Sequence, residues 1–263
     1  MNMKEAIKSY ETEGYRCSTF DFLGHPCVVV LPGQIYPGAP FIWRTEFFGF
    51  FDWADRALLE KGWHLVYAKI SDWYGAPHII DYMEKFYSYV TDRFQLNARA
   101  DIFGFSRGGL YAMNYAVRNP DTVSTLYLDA PVIDPASWPG GFYQSAPHLE
   151  KEWEEACLAY GQSSDELKKD RDRLEEKFEI LTEHRIKLLL VAGKQDTEVP
   201  YQENGALLEQ YYYKKKGSMK VIIKENCGHH PHSLDKPEEL IKYIADNMRM
   251  IPQAGHISSA GME

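Results

Sequence analysis

The chain has 263 residues, enough to bury one full core and a good fit to a single large α/β domain spanning 1–263. Its 38 acidic residues outnumber 29 basic ones for a net charge of −9, which disfavours extended contact with phosphate backbones and argues against a nucleic-acid partner. The opening MNMKEAIKSYETEGY has no apolar h-region and no run approaches the ~20 apolar residues of a membrane span, so the expectation is a cytoplasmic protein with no membrane partner.

Taken in chain order, YETEGYRCSTFDFLG is polar and alternating, as at the start of an antiparallel hairpin. PCVVVLP at 26–32 then reads as the first buried strand. A helical pattern follows in EFFGFFDWADRALLEKG from Glu46, a strand in WHLVYAKI at 63–70, and a helix in HIIDYMEKFYSYVTDRF from His78. ADIFGF at 100–105 is a strand that runs directly into a helix ending near Pro120, and VSTLYLDA at 123–130 is the next strand. The last elements are strand IKLLLVAG at 186–193, helix QENGALLEQYYYKK from Gln202, strand MKVIIKE at 219–225 and helix PEELIKYIADNMRM from Pro237. Apolar, β-branched runs alternating with helical segments predict a mostly parallel central sheet flanked by helices. Between Asp134 and His184 the rhythm breaks for about fifty residues, far more than a crossover needs, and this 134–184 insertion reads as a helical cap.

The stretch DIFGFSRGGLYAMNYAVRNP puts Ser106 between glycines at a strand-to-helix turn, where its hydroxyl stands exposed above the sheet. A serine hydroxyl is a poor nucleophile unless a histidine takes its proton and a carboxylate fixes that histidine's tautomer. Both occur downstream at strand ends: Asp196 in KQDTEVP after IKLLLVAG, and His229 in GHHPHSL after MKVIIKEN. Glu198, Asp129 and Asp134 are the rival acids, while His230 and His232 read as hydrogen-bonded supports for their loop. The histidine cluster raises a metal reading, but Pro231 stiffens the segment and no third ligand motif accompanies it, so neither metal nor cofactor is expected. Cys17, Cys27, Cys157 and Cys227 are widely spaced, contain no C-x-x-C pair and read as free thiols. An oxyanion hole needs two backbone N–H groups. Arg107 supplies one, and the loop after the first buried strand is expected to supply the other from Gln34, with Gly33 as the alternative. Trp43, Arg44 and Trp138 are the candidate substrate contacts.

The chain resembles the α/β-hydrolase superfamily from about Cys27 to Met248. More narrowly, PFIWRTEFFGF, GFSRGGLYAMNYA, LDAPVIDPASWPGG, VPYQENGALLEQYY and GHHPHSLDKPEELIKYI resemble a bacterial group of alpha/beta hydrolases. Members of that group often lie beside polysaccharide-degrading genes, so the resemblance implies carbohydrate esters as a substrate class. The resulting expectation is a serine esterase on the α/β-hydrolase fold, working through a covalent acyl-enzyme on a small-molecule, short-acyl ester. A peptidase, a thioester or C–C bond hydrolase with the same triad, and a catalytically silent binding protein on the same scaffold are the alternatives.

Overall fold

The computed structural model describes residues 1–143 and 145–249; Gln144 and residues 250–263, which include the end of the expected last helix and of the expected domain, lie outside the described residues. In chain order the chain forms α1 (Met3–Thr12), β1 (Arg16–Phe22), β2 (His25–Leu31), β3 (Phe41–Arg44), α2 (Trp53–Glu60), β4 (His64–Ala68) and α3 (Pro77–Phe94). It continues with β5 (Ala100–Phe105), α4 (Gly108–Arg118), β6 (Val123–Asp129), α5 (Glu150–Tyr160), α6 (Ser164–Leu167) and α7 (Leu174–Glu183). The last elements are β7 (Lys187–Gly193), α8 (Gly205–Lys215), β8 (Met219–Lys224) and α9 (Glu238–Asn247). The strands make one sheet in the order β1-β2-β4-β3-β5-β6-β7-β8. β1–β2 and β2–β4 pair antiparallel and every other pair is parallel.

Side-chain alternation along the strands sends successive residues to opposite faces, and each face has its own helical layer. Trp43, Ile102, Leu128 and Leu190 pack with Met83 and Phe86 of α3, Ala112 and Tyr115 of α4, Phe178 of α7 and Leu208 of α8. Val30, Ile42, Phe103 and Leu189 pack with Tyr10 of α1, Leu58 of α2 and Ile244 of α9. Helix α1 lies where the sequence suggested only the approach to a hairpin. Only Ala6 and Tyr10 of its ten residues are buried, too few to give an apolar stripe, and its clearest signal is the capping box between Asn2 and Glu5.

Strand β3 was likewise not expected from the sequence, and it corrects the oxyanion assignment. Because β2 runs antiparallel to β4, with Val30 opposite Leu65, its C-terminal end emerges beside the start of β4. That is the edge opposite to the C-terminal end of β5, where Ser106 stands. The carbonyl of Gln34 packs against Gly62, just ahead of β4, so neither Gln34 nor Gly33 reaches the serine. The loop at the correct edge is the one leaving β3, Thr45–Phe47.

The segment expected as a cap divides in two. Trp153 and Ala156 of α5 and Leu167 of α6 cover Tyr74, Leu110, Val132 and Val199. Tyr74 follows β4, Val132 follows β6 and Val199 follows β7, so α5 and α6 lie over the C-terminal edge of the sheet. Helix α7 instead packs between α4 and α8 in the main core and serves as the crossover from β6 to β7.

Candidate active site

Ser106 opens the two-residue turn between β5 and α4 with φ of +48°, a left-handed conformation that a side chain adopts only when its surroundings enforce it. Two hydrogen bonds impose it: the Ser106 N–H donates to Asp129 O at 2.9 Å, and the Ser106 carbonyl accepts from Val132 N–H at 2.9 Å. The close return of α4 over β5 needs a residue without a side chain at 104, where a Cβ would come within 2.7 Å of Ala112 Cβ and 2.9 Å of Gly108 O.

Three side chains from three strand ends meet at this turn. Ser106 Oγ lies 2.8 Å from His229 Nε2, and His229 Nδ1 lies 2.7 Å from Asp196 Oδ2. Asp196 Oδ1 accepts the N–H groups of Glu198 and Val199, both at 2.9 Å, which fixes the carboxylate and leaves its other oxygen for the imidazole. Asp196 and His229 are buried, whereas Ser106 is partly open to solvent. Gly193, at the end of β7, lets the histidine loop come close: a Cβ there would lie 2.1 Å from Gly228 O. The rival acids are otherwise engaged. Glu198 contributes a backbone N–H to Asp196, and Asp134 is bound to Arg171 and Tyr143 at 2.8 and 2.9 Å.

Asp129 holds the second histidine. Its Oδ1 accepts from His232 Nδ1 at 2.9 Å, and its Oδ2 accepts from Ser233 N–H at 2.7 Å and Tyr127 Oη at 2.8 Å. The same residue that anchors the Ser106 N–H through its carbonyl therefore anchors the histidine loop through its carboxylate. His232 thus supports the loop as the sequence suggested, but His230 does not. Its ring makes no hydrogen bond among the described residues, stacks on Phe51 at 5.6 Å, and has its pKa lowered by burial and by the neighbouring His232 and His229. One ring nitrogen from each of His229, His230 and His232 lies within 4.8 Å of the others.

Arg107, directly after the serine, is clamped by its side chain. Its Nε and Nη2 donate to Glu46 Oε2 and Oε1 at 2.8 and 3.0 Å, and its Nη1 lies 3.0 Å from Asp72. Burial raises the pKa of Glu46 while the Arg107 charge opposes the rise. This bidentate pair joins the turn after β5 to the loop after β3. In that loop the Thr45 N–H donates to Phe103 O. The N–H groups of Glu46 and Arg107 have no protein acceptor among the described residues, and Glu46 N lies 3.6 Å from where a Gly108 Cβ would stand.

Two of the expected substrate contacts are corrected by their burial. Trp43 is in the core between Phe86 and Tyr115, with ring centroids at 5.8 and 4.8 Å. Arg44 lies on the opposite face of β3, equally buried, with its guanidinium 4.0 Å from the Phe105 ring and 3.5 Å from Asp55. It donates to Phe47 O and Phe50 O at 2.9 and 2.5 Å, so it braces the loop after β3 from within. Trp138 is half-buried beside Tyr74 under the cap. Trp73, which the sequence also places on a loop near Ser106, is exposed next to the Asp72 that pairs with Arg107, and the aromatic side chain that the sequence left unassigned is Phe51, against His230. Phe51 has no periodicity to reveal it, because it lies in a loop.

A family model described as "Putative esterase" matches residues 54–236. No curated protein matches the chain. Among solved structures, dipeptidyl peptidase 4 from Porphyromonas gingivalis matches over 89% of this chain with a TM-score of 0.65 and 16% identity. The match covers 35% of that peptidase, so the chain spans about a third of its length. A "predicted CIB-like hydrolase" from Thermoplasma acidophilum matches over 89% of this chain and 97% of its own, with a TM-score of 0.53 and 18% identity. A "putative lipase" from Acinetobacter baumannii matches over 92% and 94%, with a TM-score of 0.56 and 17% identity. At these identities the likenesses are of fold.

Proposed function

From the premise that the chain belongs to this esterase family and has the α/β-hydrolase fold, we infer that it is a serine carboxylesterase acting on short-acyl esters of aryl or carbohydrate alcohols. The observation that carries the reading is the unbroken relay Ser106 Oγ, His229, Asp196, at 2.8 and 2.7 Å. In this reading Ser106 Oγ attacks the acyl carbon while His229 Nε2 takes its proton, and Asp196 holds the Nδ1–H tautomer and stabilises the imidazolium. The proton passes from Nε2 to the departing alkoxide, leaving an acyl-enzyme. Water then loses a proton to His229, attacks the acyl carbon and releases the acid, returning the proton to Ser106. The backbone N–H of Arg107 and that of Glu46 are the assigned oxyanion donors, since both lack a protein acceptor among the described residues and the Arg107–Glu46 pair holds their two segments together.

The substrate class rests on the rim. Exposed Trp73 on one side, Phe51 on the other and Trp138 under the cap offer aromatic faces beside polar groups, which suits the mixed apolar and hydroxyl surface of a sugar or aryl alcohol. Two measurements test the assignment. A fluorophosphonate probe should label Ser106 and fail on Ser106→Ala. In a chain-length series of p-nitrophenyl esters, kcat/KM should peak at acetyl or propionyl and fall steeply beyond about four acyl carbons. A maximum at eight carbons or longer would overturn the short-acyl pocket, and absence of labelling would overturn the serine hydrolase.

A further inference from the structure

The mechanism uses one ring nitrogen of His229 as the base, leaves His230 with no role, and gives His232 only its Nδ1 contact. We propose that His229, His230 and His232 together form a binding site for a divalent transition metal of the zinc class, and that an occupied site is catalytically silent. The second half of this statement rests on the serine-hydrolase reading above.

The ring centroids stand 4.8 Å apart for His229–His230 and 4.9 Å for each of the other two pairs, with interplanar angles of 65°, 84° and 84°. Rings set edge to face in a triangle bring their nitrogens together, and one nitrogen from each comes within 4.8 Å of the others. Which nitrogens face the metal follows from their other partners. His229 Nδ1 is held by Asp196 and His232 Nδ1 by Asp129, so Nε2 is the ligand atom left on both, that of His229 in competition with Ser106 Oγ. A metal-bound imidazole whose second nitrogen is tied to a carboxylate is the usual outer shell of a zinc site, because the carboxylate orients the ring and strengthens it as a donor. Here two of three rings carry that carboxylate before any metal arrives. His230, exposed and without a hydrogen bond, is the side chain with freedom to adjust. With Zn–N bonds of about 2.0–2.1 Å, tetrahedral ligands stand about 3.3–3.4 Å apart, so from a spacing within 4.8 Å the three rings must draw together by no more than about 1.5 Å, and His230 is the one most free to move. An all-imidazole donor set favours zinc and copper over magnesium and calcium.

Occupation and catalysis exclude each other. A metal on His229 Nε2 uses the lone pair that otherwise takes the Ser106 proton across 2.8 Å. The sequence reading sets a metal aside because Pro231 stiffens the segment; here the turn through Pro231 brings His232 back beside His229 and His230.

The test uses protein stripped by a chelator and then titrated with zinc chloride, with binding read by calorimetry and Ser106 reactivity read by fluorophosphonate labelling of the same samples. The expected result is one zinc per chain and a labelling rate reduced at least ~10-fold at saturation, restored by EDTA. His230→Ala should keep its thermal midpoint and its metal-free labelling rate while binding zinc at least ~100-fold more weakly, the upper range for loss of a supporting group and a floor for loss of a ligand. His230→Asn should behave the same way. The proposal is overturned by the absence of one-to-one binding below about 100 μM zinc, by inhibition that His230→Ala does not relieve, or by binding that leaves labelling unchanged. If metal-free protein is not labelled at all, the hydrolase reading fails, and calorimetry, which needs no turnover, still decides the metal site.

Discussion

Replacing His232 tests whether the Asp129 clamp sets the geometry of the base. The imidazole contributes one buried hydrogen bond to a carboxylate, from Nδ1 to Asp129 Oδ1 at 2.9 Å. Bonds of this kind are worth roughly 1.5–3 kcal/mol. Asp129 keeps its contacts to Ser233 N–H and Tyr127 Oη, so the carboxylate is not orphaned and the fold should survive His232→Leu with a loss of that size. The loop that carries His229 then loses its side-chain tie to the residue holding the Ser106 N–H. A displacement of about 1 Å between nucleophile and base costs on the order of 10²-fold. His232→Leu should therefore lower kcat about 10²-fold with KM nearly constant. Asn places its Nδ2–H close to the position of the imidazole Nδ1–H, so His232→Asn should recover activity to within about tenfold of wild type. Steady-state kinetics on p-nitrophenyl acetate, with thermal melts of each variant, provide the measurement. If Asn is no better than Leu, or if Leu leaves kcat unchanged, the clamp does not position the base.

Ser106→Ala should lose on the order of 10⁴–10⁶ in kcat with the fold intact, and activity within tenfold of wild type would remove it as nucleophile. His229→Ala should approach that loss while His230→Ala in metal-free buffer loses far less, and side-by-side kinetics would expose the reverse order. Asp196→Asn should cost on the order of 10⁴, by analogy with the serine-protease case, and a larger effect at Asp134 would move the acid to the segment after β6. Asp101 is buried far from the site and its pKa is pushed up by burial to about 6. A carboxyl raised in the folded state opposes folding once ionised, so its penalty grows as pH rises from about 4 to about 6 and is constant above. Asp101→Asn should accordingly stabilise the protein by up to about 3 kcal/mol at pH 7–8 and by almost nothing at pH 4, and denaturant unfolding at the two pH values checks it.

The parts of the fold legible in sequence were those set by local pattern. β5, β6 and β7 are mostly apolar because parallel central strands are buried on both faces, and the turn at Ser106 is marked by glycines that the close return of α4 requires. Asp196 was readable because it comes shortly after β7, and His229 because it comes shortly after the next strand, β8. β3 was not, since it has four residues and one of them is arginine. A charged side chain in a run signals solvent, yet here Arg44 lies under the loop with two carbonyls, Asp55 and the Phe105 ring around it. Nothing local distinguishes that environment from an exposed strand end.

Missing one short strand had a consequence larger than its size. Sequence order made β2 the first core strand, and the loop after it then had to carry the oxyanion donor. Strand direction cannot be read from a strand's own residues; it follows from the partners, and β2 pairs antiparallel with both β1 and β4. With β3 inserted between β4 and β5, the loop that faces Ser106 starts at Thr45, and Arg44 changes from a substrate contact to the internal brace of that loop. The same logic separates the acids. Asp129 ends β6 and Asp196 lies in the loop just past β7, at the same edge of the sheet, and each meets a histidine of the same loop. Of the two histidines, His229 also lies against Ser106 Oγ, because β5 ends beside it, and this is the ground on which the proposal gives the chemistry to Asp196 and the scaffolding to Asp129.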